Sequence, residues 1–150
     1  MKKFFIAFTC IIFIGLSQAK NDAQYLIYEM ESLRDSLELD DPARIDLTLR
    51  LADLYFDVSI TEGKSKGEEQ DQKVLKKNRL KALDLYMHTL NGTDGVRKAK
   101  GLRRVKIEFQ MARLLSRLGE YERAEKYYQS VFSNSKTPLK MREQAALGLA

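Results

Sequence analysis

Ala112 returns as Ala146, and Leu115 returns as Leu149, at one and the same interval. A small and a large apolar residue recurring together with a period of about 34 residues point to a unit of two helices. Such a unit cannot cover its own apolar face and must stack on the next one. A chain built this way presents surfaces for binding rather than a cleft for catalysis.

The residues between the two marks agree. Over Arg104–Leu118, Ile107, Met111, Leu114, Leu115 and Leu118 fall on one broad helical face. Gly119 ends that helix, because glycine enters the left-handed conformation of a C-cap without steric cost. Glu120 suits the positive end of a second helix, placed at about 120–133, in which Tyr121, Ala124, Tyr128 and Val131 form one stripe. Small Ala112 and Ala124 let the two backbones approach. Ser133–Thr137 reads as a loop, and Pro138 starts a third helix, Leu139 to Ala150, that begins the pattern again.

These residues resemble the tetratricopeptide repeat. Its small first-helix residue, following large residue, Gly-x-Tyr-x-x-Ala turn, later aromatic and closing proline correspond to Ala112, Leu115, Gly119-Glu120-Tyr121-Glu122-Arg123-Ala124, Tyr128 and Pro138. The proline falls about two places late, and the first-helix Trp often found in the family is absent, since the chain has no Trp. A distorted copy lies upstream, with Ala52 and Tyr55 in the first helix and Ala82 and Tyr86 in the second. Ala52 to Ala82 is a much longer step than Ala112 to Ala124, and the excess is an insertion around 62–73. That polar run projects as a loop or as helix extensions. The resemblance implies an all-α fold of antiparallel helical hairpins, stacked as a right-handed solenoid, with first helices lining a groove for a partner's peptide.

The ends of the chain set its organisation. Met1-Lys2-Lys3, the apolar run Phe4–Leu16 and Ser17-Gln18-Ala19 have the three zones of a secretory signal. They give a signal peptide at 1–19 and a mature chain of 20–150. The alternative is an uncleaved signal anchor, the one way this protein would contact a membrane. The only cysteine, Cys10, lies inside the run, so the mature protein has no thiol chemistry to perform. Residues 20–41 form an N-terminal capping helix, with Leu26, Met30, Leu33 and Leu37 as its stripe. Asp41 as N-cap and Pro42 as first helical residue open the next helix. The degenerate repeat then spans 42–95, the better one 96–138, and 139–150 is the first helix of a further repeat. Gln144–Ala150 carries no charge and no cap, which suggests a longer repeat protein.

Charge divides sharply. Residues 20–71 hold 6 Lys/Arg and 14 Asp/Glu, net −8, whereas residues 72–150 hold 18 and 7, net +11. Arg97, Lys98, Lys100, Arg103, Arg104 and Lys106 stand close together with no acid among them. This cluster suits an acidic protein segment or an anionic cell-wall or surface polymer; the plainer reading is a solvated helix face. Nucleic acid is disfavoured despite a pI near 9.3, because no groove-reading motif accompanies the cations and the signal exports the chain.

Nothing in the sequence assembles a catalyst. His88 is the only histidine, which precludes a multi-histidine metal site and suits a packing or surface role. Gly63-Lys64-Ser65-Lys66-Gly67 lacks the upstream glycine of a phosphate loop, and Glu68-Glu69-Gln70-Asp71 lacks the ligand alternation of a calcium loop. Asn91-Gly92-Thr93 fits a glycosylation acceptor, though a tight turn accounts for it. No catalytic residue, metal ligand or cofactor site is expected. The expectation is an exported, periplasmic scaffold that assembles a cell-envelope complex through protein contacts, with Arg50, Asp53, Glu108, Arg113 and Arg117 as candidate groove residues. The alternative is a polymer binder acting through residues 97–106.

Overall fold

The computed structural model describes residues 22–39, 41–61, 69–93 and 96–150; among them every regular element is a helix. In order these are α1 (22–36), α2 (Pro42–Thr61), α3 (Glu69–Asn91), α4 (Gly101–Leu118), α5 (Tyr121–Ser133) and α6 (Leu139–Leu149). The signal-like segment 1–19 lies outside the described residues. Packing is between chain neighbours: α2 on α3, α3 on α4, α4 on α5 and α5 on α6, with a lighter contact of α4 with α6.

Local chemistry sets the helix ends. Asp41 opens α2 as its residue type favours, its Oδ1 accepting the Ala43 N–H at 2.7 Å with Pro42 in the first turn. Gly119 closes α4 at φ 80°. There the Gly119 N–H donates to Ser116 O and the Glu120 N–H to Leu115 O, so two orphan carbonyls are satisfied. At the end of α3, Gly92 takes φ 74° while the Gly92 and Thr93 N–H groups both donate to His88 O. A Cβ on Gly92 would meet the Lys98 Cβ at 2.9 Å, so the chain turning back past α3 needs glycine there. The Ala99 N–H then donates to Thr89 O at 2.9 Å, pinning the extended approach to α4.

The two helix pairs share one core. Leu51, Ala52 and Phe56 of α2 belong with Ala82, Leu83 and Tyr86 of α3 to the same core as Met111, Ala112 and Leu115 of α4 and Ala124, Tyr128 and Val131 of α5. Each large side chain taken fully out of water contributes about 1.5–3 kcal/mol. Both alanine pairs are buried, as close helix approach requires. Phe109 meets Tyr128 edge-on, with ring centres 6.1 Å apart.

Three details depart from the sequence expectations. Tyr121 is 70% exposed, because it is the first residue of α5, at the turn that joins the helices. On α1 the expected stripe is displaced: Leu26 and Leu33 face solvent, and Ile27 is the residue buried. The cause lies on α2. The Tyr55 hydroxyl donates to Glu31 Oε1 at 2.8 Å, and Arg44 Nη1 donates to the Arg34 and Leu37 carbonyls. These bonds turn the 27–31–34 line of α1 inward. The insertion goes in part into a helix extension, one of the two forms expected of it: residues 69–73 are helical, and α3 has 23 residues against 13 in α5. Finally, Ala145 is the residue of α6 buried deepest, one place before Ala146, because α6 packs mainly on α5. Gly148 sits so close to Tyr128 that an added Cβ would fall 2.5 Å from the ring.

Candidate functional site

A groove of about 500 Å³ runs between α2, α4 and α6, with Tyr86 of α3 at its base. Leu49 and Asp53 form its α2 side, and Met141 closes it from α6. From α4 come Leu102, Arg103, Lys106, Ile107, Phe109, Gln110 and Arg113. Steps of three and four from Arg103 through Lys106 and Gln110 to Arg113 keep one helical face turned to the groove. The walls are apolar; the charged groups of the lining are three cations, Arg103, Lys106 and Arg113, and one carboxylate, Asp53.

Asp53 and Tyr86 form the polar base. The Tyr86 hydroxyl donates to Asp53 Oδ1 in a short bond. Burial raises the Asp53 pKa above the usual carboxylate value and the Tyr86 bond works against that rise; the charge of Asp57 adds to it. Burial, then donation to Asp53, pushes the Tyr86 hydroxyl well above its usual value, so the phenol stays a neutral donor. At the far end the Arg113 guanidinium lies over the Phe56 ring, 5.1 Å from its centre, while donating to Gln110 Oε1 at 2.8 Å. Arg117 lies 6.0 Å from the same ring centre. Arg79 of α3 donates to the Arg117 carbonyl; desolvation, then the nearby Arg117 charge, lowers its pKa.

Of the five candidate groove residues, Asp53 and Arg113 line the groove and Arg117 continues the α4 face past Arg113. Arg50 is exposed on α2, outside the lining. Glu108 is not a groove residue. It is only 6% exposed, paired with Arg104 Nε at 2.8 Å and accepting from Ser130 Oγ of α5 at 2.9 Å. Two places along a helix turn a side chain by about 200°, so Glu108 faces α5 while Lys106 faces the groove.

The basic cluster is divided for the same reason. Arg103 and Lys106 line the groove, and Arg103 pairs with Asp46 of α2 at 2.9 Å. Arg104 turns to Glu108, and Arg97, Lys98 and Lys100 lie in the approach to α4, where Arg97, Lys98, Lys100 and Arg103 border a separate shallow depression with Pro42 and Asp46. Leu49, Leu102, Phe109, Gln110 and Met141 are groove residues that the candidate set omits. The signal for the α4 members is the stripe extended backwards from Arg113 in steps of three and four.

His88 lies at the end of α3, outside the groove. Its Nδ1 is 2.8 Å from Thr93 Oγ1 and its Nε2 3.4 Å from Asp84 Oδ2, contacts that tie the turn to the helix. Among the described residues no three His, Cys, Asp or Glu side chains gather where a metal ion could sit, and no helix is long and apolar enough to cross a membrane. The chain matches no protein-family model, no curated protein and no solved structure.

Proposed function

We propose that the protein is an exported scaffold of the tetratricopeptide-like kind, whose α2–α4–α6 groove holds an acidic, partly apolar segment of a protein partner in the cell envelope. One observation carries the reading. Three helices, α2, α4 and α6, contribute to a single groove that combines apolar walls with the cations of Lys106 and Arg113, beside the Asp46-paired Arg103. Rigid helices present these side chains with little ordering cost on binding, and the cations favour an acidic ligand and speed its encounter. The basic, apolar and small-x-small zones of residues 1–19 support export. A polymer site at 97–106 has less support, since Arg103 and Arg104 are engaged by Asp46 and Glu108.

The test is crosslinked capture from the native organism with a chromosomally tagged bait, wild type beside Lys106→Glu. A small, reproducible set of envelope proteins that disappears with Lys106→Glu is the expected result. Partners recovered equally by both baits would place binding elsewhere on the chain.

A further inference from the structure

The outer face of α1 is unusual for a surface helix. Ile27, with Ala23 and Met30, packs into the core, yet Tyr25, Leu26, Tyr28 and Leu33 are open to solvent. Scattered exposed apolar side chains are ordinary, but four on so short a helix make a docking face. Tyr25, Leu26 and Leu33 share one stripe with Asp22 and Glu29, on the side opposite Ile27. Both acids are exposed, and neither has an ion-pair partner among the described residues. Those acids argue against an anionic membrane as the surface that covers this face.

The groove is its complement in charge, chemistry and length. Asp22 and Glu29 are seven places apart, as are Lys106 and Arg113. Each pair is therefore spaced two helical turns, about 10 Å. From Asp22 to Leu33 and from Leu102 to Arg113 the separation is again equal, about 16 Å of helix. Between the charges stand Tyr25 and Leu26 on one side and Phe109 on the other, with Leu49, Leu102 and Met141 in the groove walls. The net −8 of residues 20–71 against the net +11 of residues 72–150 points the same way.

We propose that the groove of one molecule receives α1 of a second copy, with Asp22 and Glu29 set against the Lys106 and Arg113 pair and the Tyr25–Leu26–Leu33 stripe on the apolar walls. The α1 of the same molecule cannot do this. Ile27, the Tyr55–Glu31 bond and the two Arg44 bonds hold its inner face on α2, so its stripe points away from its own chain. The contact joins two different patches and is heterologous, so association rises with concentration. This rests on the groove being a binding site for an acidic helical segment, and it names that segment.

Sedimentation velocity of the purified protein over a wide concentration range, at low and at high salt, tests it. The wild type is expected to self-associate and to dissociate as salt screens the charges. Glu29→Lys and Lys106→Glu change exposed residues and should keep wild-type circular dichroism and melting. Each alone should weaken association by about tenfold or more. Mixed together, they should recover a 1:1 complex, because the α1 of one variant and the groove of the other are both intact.

Two labelled peptides separate the inference from the groove reading: residues 22–36, and an unrelated amphipathic helix carrying two glutamates seven places apart. Binding of the 22–36 peptide that is lost in Lys106→Glu supports both. Binding of the unrelated helix alone, with the protein monomeric throughout, overturns α1 as the occupant and leaves the groove reading standing. If neither peptide binds, both fall.

Discussion

Gly119 offers a clean test of the hairpin, because its environment isolates one cause. It holds φ +80°, and a Cβ built there would meet nothing within 4 Å. Any cost of a side chain is therefore conformational rather than steric crowding by neighbours. An L-residue in the left-handed region costs roughly 1–2 kcal/mol, and a β-branched one more. Replacing glycine also narrows the unfolded ensemble, which returns about 0.4–1 kcal/mol. The net loss should be about 1 kcal/mol for Gly119→Ala and about 2 kcal/mol for Gly119→Val, with Gly119→Asn below both because asparagine tolerates this region. Near the midpoint, a loss of about 2 kcal/mol corresponds to a fall of roughly 4–8 °C for a chain of this size. Urea unfolding followed by circular dichroism would read the series, and the midpoint should move at constant slope. The order is the decisive feature. If valine melts with the wild type, or alanine is worse than valine, the left-handed closure by the Leu115 and Ser116 carbonyls is not what joins α4 to α5.

Other perturbations probe separate contacts. Ala124→Phe forces a ring between α4 and α5 where Ala124 and Ala112 are both buried, and should cost about 1–3 kcal/mol in chemical unfolding; full stability would place Ala124 outside that contact. Gly148→Val should destabilise the α5–α6 contact because its Cβ would fall 2.5 Å from the Tyr128 ring, and Tyr128→Leu should relieve much of that loss when the two are combined. Asp53 has a raised pKa in the fold, so its contribution to stability is fully present below the ordinary carboxylate value of 3.8 and is lost as pH rises through the folded value. Asp53→Asn should therefore flatten the stability profile across the carboxylate range while keeping an acceptor for Tyr86, and an unchanged profile would show that Asp53 is not desolvated. Tyr86 likewise favours its neutral form, so stability should fall as pH climbs past about 10, where the unfolded phenol ionises; Tyr86→Phe should shrink that alkaline loss in a pH series of melting curves.

Much of the fold can be read in the sequence because its signals are local. Gly119, Asp41 and Pro42 end and start helices through bonds that reach at most five places along the chain. The 112–124 alanine spacing is likewise a property of one hairpin. What the sequence conceals depends on a partner helix. The stripe through Leu26 and Leu33 is as good a helical stripe as the one through Ile27; Arg44 and Tyr55, on α2, decide between them. The same is true of Tyr121, whose spacing to Ala124 and Tyr128 is regular and whose exposure comes from its place at the turn.

The groove follows the same division. Charge and polarity mark Glu108, Lys106 and Arg113 alike as outward residues of α4, and only the rotation of that helix about its axis separates them. Its rotation is fixed by Met111, Ala112 and Leu115, which go to the hairpin core and carry Glu108 part of the way with them toward Ser130. Once buried there, the carboxylate needs partners, and Arg104, one turn back on the same face, supplies one at 2.8 Å. Pairing Arg104 inward leaves Lys106 and Arg113 as cations of the opposite face, without an acid partner among the described residues. The Arg104–Glu108 pair within α4, whose carboxylate also accepts from Ser130 of α5, thus sorts the charges of α4, making its inner side neutral and its groove side positive. An acidic ligand in that groove would meet Lys106 and Arg113, which no ion pair among the described residues has claimed, beside Arg103, which Asp46 already holds.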